Sequence, residues 1–81
     1  MYPSVKEVTA CDNYILSVSF ENGEKGRLDI KPMLGFGIFR RLENYEAFRR
    51  VRVSFDTVQW DCGPDLDPEY VYKKCIKAVE P

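Results

Sequence analysis

Histidine is absent from the 81 residues. Its absence removes the commonest general base, the Ser-His and Cys-His nucleophile pairs and the commonest zinc ligand. Cysteine is scarce: Cys11, Cys62 and Cys75 are three, an odd number, and none sits at C-x-x-C spacing. A structural zinc site is therefore not expected, and reduced thiols in a cytoplasmic protein are the simplest reading. No apolar run approaches the ~18 residues that a membrane span needs. The opening "MYPSVKEVTA" lacks a basic start followed by an apolar run, so no signal peptide and no membrane association are expected. The glycines of "LGFGIF" precede no GK[ST], which excludes a phosphate loop. Nothing here calls for a cofactor. The formal charge of −1 argues against general attraction to nucleic acid or to an anionic membrane.

What is present suits one small folded domain over residues 1–81. Apolar residues make up 44% and aromatics 14%, too much for a disordered tail. A chain of this length buries only roughly 60–65% of its unfolded surface, so the core is thin.

The clearest element is "YILSVSFENGEKGRLDI". Tyr14, Leu16, Val18 and Phe20 alternate with Ile15, Ser17 and Ser19, the period of a half-buried strand. A two-residue Asn22-Gly23 loop would set Val18 against Arg27 and Leu16 against Asp29. A three-residue Glu21–Gly23 loop instead pairs Leu16 with Leu28 and Tyr14 with Ile30, which keeps the apolar residues on one face. That register needs Gly23 in a left-handed conformation, which glycine accepts. "SVKEVTA" reads as a further strand of the same sheet.

Pro32 opens a helical turn that Gly35 and Gly37 interrupt. "IFRRL" and "NYEAFRRV" are short helical pieces, the second capped by Asn44. Phe39, Leu42, Tyr45 and Phe48 recur three apart and are expected over one face of the sheet. "VRVSFDTVQW" returns to alternation, with either Phe55 or Val53 opposite Val58. "DPEYVYKKCIKAV" reads as a closing amphipathic helix. Tyr72, Ile76 and Val79 form its stripe, Val71 and Cys75 flank it, and Lys73, Lys74 and Lys77 face water. The fold class is α+β: a small, mainly antiparallel sheet of about five short strands, packed against short helical segments and a C-terminal helix.

Between residues 60 and 70, Asp61, Asp65, Asp67 and Glu69 occur without a Lys or Arg. Asp67, Pro68 and Glu69 have the order of an N-cap, a first helical position and an acidic first turn. Leu66 and Val71 stand at the hydrophobic-staple spacing. A carboxylate metal site around Asp61 and Asp65 is the alternative, but the spacing does not match a calcium loop. Asp65 alone has no evident structural duty. Trp60 and the cysteines read as core residues, with Cys62 the most open to oxidation.

Arg40, Arg41, Arg49, Arg50 and Arg52 crowd into thirteen residues, offset by Glu43 and Glu46. They read either as solvated helical faces or as a patch for an acidic partner or phosphate. No aromatic stacking motif accompanies them, so nucleic acid is the weaker reading. Phe36, between two glycines, reads either as core, like most of its apolar neighbours, or as a candidate exposed contact, and sheet edges offer a further route to strand pairing.

Together "DNYILSVSFENGEKGRLDI", "GIFRRL", "AFRRV" and "TVQWDCGPDLDPEYVY" resemble the small bacterial family known as domain of unknown function 2442. The likeness spans about residues 4 to 75. Its closing motif falls on Trp60, Gly63, Asp65, Leu66, Pro68 and Glu69, while Cys62 and Pro64 stand where Asn and Ala are usual. The resemblance implies an α+β fold and no established activity. It also implies a setting beside another tiny protein, similar to toxin–antitoxin pairs. Some members add a helix-turn-helix domain, which this chain is not expected to include. The expectation is a non-catalytic interaction or regulatory module with a protein partner or a homo-oligomeric state. Arg40, Arg41, Arg49, Arg50 and Phe36 are its expected contact residues, and Trp60, Gly63, Asp65, Asp67 and Pro68 its structural motif.

Overall fold

The structure is a computed structural model that describes residues 3–77 and, of residues 76 and 77, the backbone. Strands β1 (Val5–Cys11), β2 (Ile15–Phe20) and β3 (Lys25–Asp29) form an antiparallel meander. The β2–β3 turn follows the three-residue reading. Leu16 lies opposite Leu28, and Phe20 and Glu24 close the loop through a 2.8 Å backbone hydrogen bond. Gly23 takes φ +92°, the left-handed value the register requires. Between Val5 and Glu7 the β1 register shifts by one residue. This bulge lets Val5 and Val8, three apart in sequence, both turn toward the core.

The second hairpin joins β4 (Val51–Ser54) to β5 (Thr57–Trp60) with Val53 opposite Val58 and a two-residue turn at Phe55–Asp56. Phe55 is thus a turn residue, at φ +55° and 97% exposed, rather than a strand residue facing the core. Tyr14 likewise lies in a left-handed turn conformation ahead of β2, although Ile30 N–H still bonds its carbonyl at 2.9 Å. The hairpin meets the meander where Val5 N–H donates to the Asp56 carbonyl at 3.1 Å.

Three 3₁₀ turns link these strands, the longest over Gly37–Glu43. Helix α1 (Tyr45–Phe48) is capped by Asn44, whose side chain accepts from Glu46 N–H at 3.0 Å. Helix α2 (Pro68–Lys74) is shorter than its periodicity suggests. Cys75 is extended, and Ile76–Lys77 form a sixth strand, β6, which pairs antiparallel with β3 at Arg27 and Gly26. The proposed stripe through Tyr72, Ile76 and Val79 is therefore not one helical face, and Val79 lies outside the described residues. The pairing satisfies backbone groups on the β3 edge, a non-local gain that helical spacing cannot reveal. The architecture is α+β with two antiparallel sheets, ordered β1-β2-β3-β6 and β4-β5.

Both sheets share one core. Leu16, Val18, Phe20, Leu28 and Ile30 from the meander are buried, as are Leu42, Phe48, Val58, Trp60 and Val71 from the other elements.

Candidate functional site

The run from Trp60 to Glu69 turns twice before the helix begins. Gly63 adopts φ +122°, and its N–H donates to the Trp60 carbonyl at 3.0 Å. The chain then returns along β5. Trp60 N–H reaches the Pro64 carbonyl at 2.9 Å, and Leu66 N–H reaches the Val58 carbonyl at 3.2 Å. The Thr57 hydroxyl donates to the Leu66 carbonyl at 2.6 Å. Pro64 and Leu66 are buried by this arrangement, while Asp65 between them faces out. The outer edge of β5 is thereby covered without a formal strand.

Each carboxylate of the stretch goes to a different place. Asp67 caps α2 by accepting from Glu69 N–H at 3.2 Å, with Pro68 at the first helical position. Glu69 pairs with Lys73 at 3.0 Å, one turn along. Asp61 pairs with Arg52 across the hairpin end. Among the described residues, the Asp65 side chain has no hydrogen bond or ion pair, and no group of three or more His, Cys, Asp or Glu side chains could hold a metal ion. The four acids do not converge, which a hard cation would require.

The arginines are also dispersed. Arg41 donates to the Cys62 carbonyl at 2.7 Å, Arg49 pairs with Glu46 at 3.0 Å, and Arg52 holds Asp61. One ion pair, Arg52 with Asp61, and the Arg41 bond to the Cys62 carbonyl tie β4 and the 3₁₀ segment to the Trp60–Glu69 run. Arg40 and Arg50 are exposed and form no ion pair among the described residues. Arg50 borders a polar hollow shared with Glu46, Asp61 and Cys62, so two carboxylates stand near the position an anion would take. Cys62 is half-buried, as is Cys11, and Cys75 is buried.

The apolar side of the same region is more distinctive. Phe36 is 70% exposed and Ile38 47%. Phe36 forms one wall of a groove of about 400 Å³ with Met33, Phe39, Leu66 and Tyr70, and Asp65 and Asp67 stand at its rim. Of the expected contact residues, only Phe36 borders this groove; Arg40, Arg41, Arg49 and Arg50 do not. The sequence pattern gives Phe39 a place over the sheet and no contact role to Met33 or Tyr70. Their signal in sequence is slight, because a groove wall is half-buried and carries the same apolar composition as a core face.

Residues 5–77 match the model of the family described as protein of unknown function (DUF2442), and the chain belongs to that family. No curated protein gives a match, and no solved structure does.

Proposed function

We propose that this chain is a non-catalytic protein-interaction module, acting as the regulatory, antitoxin-like member of a small two-protein pair. The observation that carries the reading is Phe36, an aromatic side chain left 70% exposed beside an apolar groove, on a segment bounded by Gly35 and Gly37. Large exposed apolar groups that adjoin a groove favour a protein contact over solvent. Phe55, 97% exposed at a hairpin tip, supports it independently. A phosphate-binding reading would rest on Arg40 and Arg50 alone, since the other three guanidiniums of that stretch have intramolecular partners.

The test is affinity capture of the tagged chain from its own cells, read by mass spectrometry. The expected result is one small protein in stoichiometric amount, lost when Phe36→Ser is the bait. No companion, together with a monomer at every concentration, would refute the proposal.

A further inference from the structure

We infer that the groove between the 3₁₀ segments and α2 seats an apolar side chain of a partner protein that carries a lysine or arginine next to it or two residues away. This deepens the interaction reading and rests on it. The walls, Met33, Phe36, Phe39, Leu66 and Tyr70, offer no charged group, and among the described residues no buried side-chain polar atom is left without a partner. The groove, at about 400 Å³, is at the lower end of pockets that hold small ligands, which fits one large side chain.

The rim decides the neighbouring residue. Asp65 has no partner among the described residues, and Asp67 has one oxygen engaged by Glu69 N–H. Two carboxylates at the mouth attract a cation and repel an acid. In an extended peptide, residues two apart point the same way, so a base two positions from the anchor reaches the rim while the anchor fills the groove.

Among the described residues, the exposed apolar side chains of a second copy do not offer that chemistry. Its Phe55, 97% exposed, has Asp56 beside it and no Lys or Arg within two residues. Its exposed Ile38 lies in the 3₁₀ segment Gly37–Glu43, where residues three apart share a face. Arg40, two positions from Ile38, therefore falls on another face, and Arg41, which shares the face of Ile38, is engaged by the Cys62 carbonyl. The charge at the rim therefore favours a foreign segment.

The experiment is to pan a random dodecapeptide display library against the wild-type chain, counter-selected on Asp65→Lys, and to measure the enriched peptides by fluorescence anisotropy. Phe36 and Asp65 are exposed, so both variants should retain the wild-type thermal melt, which is checked first. Enrichment of Phe, Leu, Ile, Met or Trp with Lys or Arg one or two positions away is expected. Asp65→Lys and Phe36→Ser should each weaken binding about tenfold or more, and added salt should weaken the wild type. No enrichment, acidic peptides, or affinities indifferent to Asp65→Lys would overturn the inference. So would a wild-type dimer in sedimentation velocity that Phe36→Ser dissociates, since a second copy would then be the occupant. A cellular partner whose capture survives both substitutions would overturn the groove assignment while leaving the interaction reading intact.

Discussion

The indole N–H of Trp60 donates to the main-chain carbonyl of Phe48 at 2.9 Å, inside a site where neither side chain is exposed. One bond thus fastens the end of β5 to the end of α1. The two rings also face each other with centroids 6.3 Å apart. Trp60→Phe removes the donor, leaves a buried carbonyl unsatisfied and opens a void. Its expected cost is roughly 2–4 kcal/mol. A chain of 81 residues has about 4–12 kcal/mol in all, so this one change takes a large share. Urea unfolding should show a lower midpoint at unchanged slope; a change under about 0.5 kcal/mol would mean that the bond does not form in solution.

Asp67 has two separable duties, a cap and a rim charge. Asp67→Ala should lose about 1 kcal/mol of stability, because Glu69 N–H loses its acceptor. Asp67→Asn keeps an acceptor oxygen and should stay within a few tenths of wild type. Thermal melts of the two variants side by side check this, and equal losses would mean that charge, not capping, supports α2.

These local features were open to sequence reasoning because their causes are local. The Glu21–Gly23 loop follows from which register keeps Leu16 and Leu28 on one face, and the caps at Asn44 and Asp67 follow from residue type and position. The end of α2 was not legible. No Gly or Pro stands at Lys74–Cys75, and the helix stops because Ile76–Lys77 find the β3 edge some fifty residues earlier in the chain. The place of Phe55 stays open between two registers in the sequence for a related reason. Period-two alternation is the same whether the chain turns at 55–56 or one residue later, and only the partner strand distinguishes them. Of the candidate site, Phe36 was visible through its flanking glycines. The groove was not, because its walls come from two segments, residues 33–39 and 65–70, that are distant in the chain.

The Tyr72 hydroxyl donates to the Glu24 carboxylate at 2.6 Å, tying α2 to the β2–β3 turn, and its ring meets Phe20 edge-on. The hydrogen bond to Glu24 is the main reason its pKa rises above the ordinary 10, with desolvation and the nearby negative charge adding to it. A raised folded-state pKa means the contribution is fully present below about pH 10 and is lost as pH climbs through the higher folded value. Wild type and Tyr72→Phe should therefore differ by a constant amount from about pH 8 to pH 10, and the gap should close above that. Urea melts across this range provide the check. A gap that persists unchanged to about pH 11.5 would place the Tyr72 effect in packing rather than in the hydrogen bond.

Two aromatic residues hold left-handed backbone angles, and their surroundings differ. Tyr14, at φ +60°, donates its hydroxyl to the Glu43 carbonyl at 2.5 Å and packs edge-on against Tyr45 and Phe48. Its strain, of order 1–2 kcal/mol, is offset by those contacts. Phe55, at φ +55°, stands at a hairpin turn position where glycine is favoured, and its ring lies in solvent. Phe55→Gly relieves the strain at the cost of about 0.5–1 kcal/mol of unfolded-state entropy, a net gain of about 0.5–1 kcal/mol. The expected rise in Tm is about 2–8 °C, whereas Tyr14→Gly should lower it. If Phe55→Gly melts below wild type, the ring packs on the domain in solution and is no contact residue. If it melts higher and also loses the captured partner, the domain carries Phe55 against its own stability, and the compensating interaction lies in the complex.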